Sequence, residues 1–186
     1  MRSGMKAQAQ WGILTAVLLL AGLCLYQQPV RLSGAEADYG PQVGLLAPEF
    51  SLAGQDQKTY NLEQYRGKPV IINFWASWCA PCKEEAPALA KLHDRYGSDV
   101  QILAVNLTLM DSPEKAQAFS THYGFKFPVL LDTEGDASAA YRIQPIPSTF
   151  FVDKNGKVTG TVLGVLDEQG WEEQTRLLLS ANQALQ

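Results

Sequence analysis

The feature that most limits the fold is an apolar run that leads directly into two closely spaced cysteines. Residues 68 to 75 read KPVIINFW, a pattern typical of a strand buried on both faces of a sheet. Residues 82 to 96 then show helical periodicity, with an inner stripe of Cys82, Glu85, Ala86, Leu89, His93 and Tyr96. The sequence therefore predicts a buried strand, a turn that carries Cys79, and an amphipathic helix that carries Cys82.

The rest of the chain continues this alternation of strands and helices. Turn signals and periodicity predict further elements, in chain order a hairpin around 53–56, a strand over 100–107, a helix from the Ser112 cap to about 123, a strand over 127–131, a short helix over 136–141, a hairpin of 148–153 and 157–163, and a last helix from 167 to about 184. This order indicates the α/β class, with a central mixed β-sheet flanked by helices and an N-terminal β-hairpin.

Composition and charge narrow the class of protein. Hydrophobic residues make up 46% of the chain and charged residues 18%, which favours a globular core over extended disorder. The net charge of −4 offers no basic field for phosphate neutralisation, so we expect no nucleic-acid partner. After the N-terminal segment, about 145 residues remain, the size of one domain, and we expect a monomer.

The spacing of Cys79 and Cys82 indicates either redox chemistry or a metal site. A sulfur at the start of a helix faces unsatisfied amide groups and the positive end of the helix dipole, which favour a thiolate at Cys79. Cys82 lies one turn deeper, where it can resolve a mixed disulfide formed by Cys79. Pro81 is tolerated in the first turn. The third cysteine, Cys24, lies far away in an apolar run, and we assign it no part.

Glu85 is a candidate for the group that takes the proton from Cys82. It shares the inner stripe with Cys82, whereas its neighbour Glu84 points to solvent. Our hypothesis is that Glu85 is a partly buried carboxylate with a raised pKa that accepts or relays this proton. The alternative is a glutamate at the edge of the core, paired with a lysine.

The N-terminal segment has the pattern of a membrane anchor. Residues 11–26 carry no charge, and as a helix they would span about 24 Å. Arg2 and Lys6 precede them, which places residues 1–10 in the cytoplasm as the positive-inside rule requires. We interpret 11–26 as a transmembrane signal-anchor, 27–43 as a flexible tether and 44–186 as an exported domain. A cleaved signal peptide and a lipoprotein signal remain alternatives, and each also exports the domain.

From about Gly44 to the C-terminus, the sequence resembles thioredoxin-fold oxidoreductases, most closely the membrane-anchored TlpA/ResA group. The resemblance rests on four segments in the same order, namely FWASWCAPCKEEAP, AVNL, FPVLLD and PIPSTFFVD. It implies a thioredoxin-like fold with an inserted βα element, and it implies that Pro147 is a cis-proline facing the cysteines. It also places Glu85 on a glutamate of the family motif.

The same resemblance implies where substrate binds. The backbone of Ile146 would pair with a substrate strand by β-augmentation, next to Pro147. Trp78, Ala80 and Pro81 flank the sulfurs and are expected to contact the substrate, although Trp75 and Trp78 could each be either a core residue or part of the docking surface. Asn73 stands where thioredoxin has a buried aspartate, and Asn73 cannot act as a base. Another residue must therefore accept the proton of Cys82, and Glu85 is the candidate that takes the place of this aspartate.

The family resemblance implies reduction of the CxxCH disulfide of apocytochrome c, with electrons from a membrane thiol carrier of the CcdA or DsbD type. Ala80 and Pro81 supply no cation to stabilise the reduced form, which also favours a reductant over a strong oxidant. The physiological substrate could instead belong to oxidase assembly or sporulation, and a general disulfide oxidase or isomerase is an alternative. A copper metallochaperone is the rival from another class, but it needs a histidine near the thiolates, and the chain offers His93 and His122. We therefore expect no metal and no cofactor.

Overall fold

The structure is a computed structural model that describes residues 38–183. The interpretations of residues 1–37, which include the anchor, most of the tether and Cys24, lie outside the described residues. Within 38–183, the helices lack the combination of length and apolar character that a bilayer crossing requires.

The strands of the described region form one mixed sheet in the order β2-β1-β5-β4-β3-β6-β7. Their bounds are β1 Ser51–Gly54, β2 Thr59–Asn61, β3 Val70–Trp75, β4 Gln101–Asn106, β5 Val129–Leu131, β6 Ser148–Val152 and β7 Val158–Leu163. The three central neighbours β3, β4 and β5 run parallel, whereas β6 and β7 at one edge and β1 and β2 at the other pair antiparallel. The predicted mixed sheet with an N-terminal hairpin is confirmed.

Three α-helices of the described region connect these strands and a fourth follows β7, as the periodicity predicts. Their bounds are α1 Ala80–Tyr96, α2 Pro113–His122, α3 Asp136–Ala140 and α4 Glu168–Gln183. Ser112 caps α2, because its hydroxyl accepts a hydrogen bond from the Lys115 N–H. The mixed sheet with these helices is the thioredoxin-like fold that the resemblance implies, which is thereby confirmed.

Strand β3 lies at the centre of the sheet and is covered on both faces. Ile71 and Trp75 face one core cluster, together with α1 and α4, while Val70, Ile72 and Phe74 face the other. This alternation follows from the two-residue period of a strand. Because both faces are covered, all six residues of β3 are buried, and its carboxyl end leads directly into the turn before Cys79.

The inner stripe of α1 differs from the prediction at its end. Leu92 is buried there, whereas His93 and Tyr96 are half-buried at the margin of the core. Both Leu92 and His93 border the stripe, and the apolar side chain takes the interior because burial of an imidazole carries a desolvation cost. His93 packs edge-on against Phe127, and burial lowers its pKa. His93 therefore lies at the margin of the inner stripe, partly buried against the core.

Leu89 tests how much the packing of α1 contributes to stability. Its side chain is buried in the core cluster that contains the cysteines. We expect Leu89→Ala to lower the free energy of unfolding by about 3 kcal/mol, because it leaves a cavity in a close-packed core. Leu177→Ala on α4 is the matched control, since Leu177 is exposed and should change stability by less than about 0.5 kcal/mol. Equal unfolding midpoints for the two variants in urea would contradict this assignment.

Candidate active site

The two predicted redox cysteines lie together at the start of α1. Cys79 is the N-cap residue, and a disulfide joins it to Cys82, with the Cα atoms 5.3 Å apart. The N–H of Cys82 donates a hydrogen bond to Sγ of Cys79 at 3.2 Å. Sγ of Cys79 therefore occupies the position in which an N-cap side chain accepts a hydrogen bond from an amide of the first helical turn. A thiolate at this position would be stabilised by the same donor.

The loop before β6 covers one side of this disulfide. The Ile146–Pro147 peptide bond is cis, as the resemblance implied. The carbonyl oxygen of Ile146 lies 3.7 Å from Sγ of Cys79, so the two predicted binding residues are adjacent to the reactive sulfur. Ile146 is half-buried and Pro147 is buried. The N–H of Gly164, just after β7, donates to the carbonyl of Pro147 at 2.8 Å and supports the loop from behind.

The aromatic residues around the motif divide between core and surface. Trp75 is buried in the core, whereas Trp78 is 55% exposed. The indole N–H of Trp78 donates to the carbonyl oxygen of Met110 at 2.9 Å, which holds the ring beside Cys79. Ala80 and Pro81 are also exposed, while both cysteines are at most 4% exposed. Of the two tryptophans, Trp78 is thus the one available to a docking partner.

Glu85 is more deeply buried than the sequence suggested. Its side chain is 2% exposed, and its carboxyl group accepts hydrogen bonds from the Asn73 amide at 2.9 Å and from the Leu166 N–H at 3.3 Å. Burial raises the pKa of Glu85 to about 7, against the opposing effect of these two donors. No lysine pairs with Glu85 among the described ion pairs, so the alternative of a lysine-paired edge residue is wrong.

The surroundings of Glu85 suit a proton acceptor. The Asn73 amide also donates to the Thr149 hydroxyl at 3.1 Å, which fixes the amide nitrogen toward Glu85. Glu85 follows Cys82 by three residues on α1, and side chains at this spacing are neighbours on a helix. With a pKa near 7, the carboxyl group can both accept and release a proton at neutral pH.

Three site contacts were missed in the sequence because they join distant segments. Asp111 accepts hydrogen bonds from the N–H and the hydroxyl of Ser77 in the cysteine turn. Thr149 accepts one from Asn73, and Leu166 donates one to Glu85. Asp111 follows β4 closely, and the carboxyl ends of the parallel strands β3 and β4 lie side by side, so its place near the cysteine turn could have been inferred. The backbone contact of Leu166 with Glu85 carries no signal in the sequence.

The two histidines do not join the cysteine pair. His93 lies 11 residues after Cys82 on α1, which corresponds to about 16 Å along the helix axis. His122 ends α2, with its ring against Tyr123. Within residues 38–183, no three histidine, cysteine, aspartate or glutamate side chains are grouped so that they could hold a metal ion.

Comparisons with known proteins agree with this geometry. Residues 43–161 match the model of the AhpC/TSA family. The chain is 34% identical to the thioredoxin-like protein YneN of Bacillus subtilis over 89% of this chain and 95% of that protein. It is also 34% identical to the thiol-disulfide oxidoreductase ResA of Geobacillus thermodenitrificans, over 89% of this chain and 94% of that protein. A crystal structure from Chlorobium tepidum, described as a thiol:disulfide interchange protein DsbE, has 30% identity and a TM-score of 0.68, covering 74% of this chain and 98% of that chain.

Proposed function

Because this chain belongs to the AhpC/TSA family of thioredoxin-like proteins and is a thiol-disulfide oxidoreductase of the ResA and DsbE type, we propose that it reduces the disulfide of apocytochrome c outside the bacterial cytoplasmic membrane. The observation that carries the proposal is the Cys79–Cys82 pair at the N-terminus of α1, beside the Ile146–Pro147 loop. Relatives that match this chain over most of their length are named ResA.

The reaction begins when the Cys79 thiolate attacks one sulfur of the substrate disulfide. A bond forms between Cys79 and that sulfur, and the other substrate sulfur leaves as a thiolate that takes up a proton. Cys82 then loses its proton to Glu85 and attacks Cys79, which releases the second substrate thiol. The substrate gains two electrons and two protons, and the protein is left with the Cys79–Cys82 disulfide seen here.

Substrate docking uses the surface around Cys79. An extended substrate segment pairs with the backbone of Ile146 next to Pro147, and its side chains contact Trp78, Ala80 and Pro81. The exposure of Trp78 and of the Ala80-Pro81 dipeptide supports this arrangement. A reductant also fits the sequence between the sulfurs, because Ala80 and Pro81 lack a cation that would stabilise the Cys79 thiolate.

Residues 11–26 anchor the protein in the membrane in this proposal, and residues 27–43 tether the domain on the extracytoplasmic side. A membrane thiol carrier of the CcdA or DsbD type returns the Cys79–Cys82 disulfide to the dithiol. The protein works as a monomer in this proposal, since a single chain carries Cys79, Cys82 and Glu85. Membrane fractionation of the full chain beside a version that lacks residues 1–37 tests the anchor, because only the full chain should sediment with the membranes.

Trapping of the mixed disulfide tests the substrate. In Cys82→Ala, the Cys79 mixed disulfide has no resolving thiol and should accumulate. We expect apocytochrome c among the proteins bound to Cys79 in the native host, identified by mass spectrometry after non-reducing purification. The double variant Cys79→Ala/Cys82→Ala is the matched control and should capture none of them. Capture of other exported proteins without apocytochrome c would contradict the proposed substrate, and a potential near that of DsbA, about −120 mV, would contradict the direction.

A further inference from the structure

Asp111 lies outside the cysteine helix, in the connection between β4 and α2, and it holds the cysteine turn in place. Its Oδ2 accepts hydrogen bonds from the Ser77 N–H at 2.6 Å and the Asn106 amide at 2.9 Å. Its Oδ1 accepts from the Ser77 hydroxyl at 2.7 Å and the Ser112 N–H at 2.9 Å. One carboxylate thus joins the end of β4, the start of α2 and the turn before Cys79.

The cysteine turn is short and depends on this connection. Residues 76–78 link β3 to Cys79, and Ser77 gives both its N–H and its hydroxyl to Asp111. The next residue, Trp78, donates its indole N–H to Met110, the neighbour of Asp111. Ser77 and Trp78, the two residues before Cys79, are therefore hydrogen-bonded to Asp111 and Met110 in the connection between β4 and α2.

We propose that Asp111 is a positioning residue for the thiol-disulfide reaction, because it fixes the turn that places Sγ of Cys79 at the N-terminus of α1. The hydrogen bond from the Cys82 N–H to Sγ, at 3.2 Å, depends on this placement. A turn released from Asp111 lets the sulfur leave the helix terminus, and the thiolate then loses the amide and the dipole that stabilise it.

Loss of the Asp111 charge and loss of the turn geometry would shift the pKa of Cys79 in opposite directions. An experiment on this pKa can therefore distinguish the two effects. Burial tends to raise the pKa of Asp111, but hydrogen bonds from Asn106, Ser77 and Ser112 outweigh it and hold the pKa below its ordinary value, so the group is anionic at neutral pH. An anion near Cys79 disfavours the thiolate, and its removal alone would lower the pKa of Cys79. Loss of the helix N-terminal position would raise that pKa.

The test measures the alkylation rate of Cys79 against pH in the reduced full chain, with iodoacetamide as the probe and peptide mass spectrometry to distinguish Cys79 from the other thiols. In Asp111→Asn, the side-chain amide that replaces the carboxylate turns an N–H toward a backbone donor, so at least one of the four hydrogen bonds is lost. We expect the pH midpoint to rise by about one unit and the rate at pH 7 to fall about tenfold. Reduction of 2-hydroxyethyl disulfide should slow in parallel, since that small substrate needs no docking surface.

Two further variants keep the test decisive. Ser77→Ala removes one hydrogen bond and leaves the Asp111 charge in place, so it should shift the midpoint upward by a smaller amount. Asp99→Asn makes the same charge change at an exposed aspartate beyond the far end of α1 and should leave the profile unchanged. All other titratable groups on α1, namely Cys82, Lys83, Glu84, Glu85, Lys91, His93, Asp94, Arg95 and Tyr96, stay the same in these variants.

A lowered midpoint in Asp111→Asn would show that Asp111 acts through its charge alone and would overturn the proposal. An unchanged midpoint in both Asp111→Asn and Ser77→Ala would also overturn it, because Ser77→Ala keeps the Asp111 charge and no charge effect can mask a change of geometry there. If Asp111→Asn does not fold, Ser77→Ala decides the question, and an unchanged midpoint there overturns the proposal.

Discussion

Replacement of Cys79 by serine is expected to abolish turnover with every disulfide substrate. Sγ of Cys79 is the sulfur at the N-terminus of α1 and next to the Ile146 carbonyl, whereas Cys82 lies one turn further along α1. A serine hydroxyl stays protonated at neutral pH and forms no mixed disulfide, so the first step has no nucleophile. The measurement is the rate of reduction of insulin or 2-hydroxyethyl disulfide by the reduced full chain.

The matched control for that variant is Cys82→Ser, which keeps the nucleophile and loses the resolving thiol. It should show a single round of attack and then stop as a mixed disulfide, visible with 2-hydroxyethyl disulfide as one added 2-mercaptoethanol group on Cys79. Rapid attack by Cys79→Ser through the remaining Cys82 would reverse the assigned roles of the two sulfurs.

We expect the stability of the folded protein to fall as the pH rises through about 7, because of the buried carboxyl group of Glu85. Burial raises the pKa of Glu85 from 4.5 to about 7 in the folded protein. Since the folded state then binds the proton more tightly than the unfolded state, the contribution is fully present below pH 4.5 and is lost as the pH rises through 7. A shift of this size corresponds to about 3 kcal/mol in the free energy of unfolding.

Glu85→Gln is expected to remove most of this pH dependence, because glutamine has nearly the same shape and cannot ionise. Urea denaturation of the oxidised protein between pH 5 and pH 9 gives the measurement, with Glu84→Gln as the matched control, since Glu84 is an exposed neighbour on the same helix. The same variant should slow the resolving step and flatten its pH profile near 7, if Glu85 accepts the Cys82 proton. Parallel stability profiles for Glu85→Gln and the native chain would contradict the raised pKa.

The fold was predictable from the sequence because its signals are local. The apolar run of β3, the N-cap and proline at the start of α2, and the Asn155-Gly156 turn between β6 and β7 each determine their own element. The position of the cysteine turn follows from the apolar run of β3, since only a short turn fits between the end of that strand and the start of α1.

The details of the site depend on contacts between distant segments, and these were less accessible. The inner stripe of α1 identified Glu85 but not its depth, because the depth depends on Asn73 from β3 and on Leu166, which is 81 residues away in the sequence. The stripe also omitted Leu92, which is buried while His93 is half-buried, since helical periodicity does not decide which of two bordering residues takes the interior. The sequence did not decide which of Trp75 and Trp78 lies at the surface. The hydrogen bond that holds the Trp78 ring there is accepted by Met110, which is distant in the sequence.

The short connection between β7 and α4 contacts two parts of the site that perform different tasks. Its Gly164 N–H supports the carbonyl of Pro147, and its Leu166 N–H contacts the carboxyl group of Glu85. The loop of Pro147 and the carboxyl group of Glu85 therefore depend on two backbone N–H groups that are only two residues apart in the chain. We expect a change of length in this connection to disturb the Ile146–Pro147 loop and the hydrogen bond to Glu85 together.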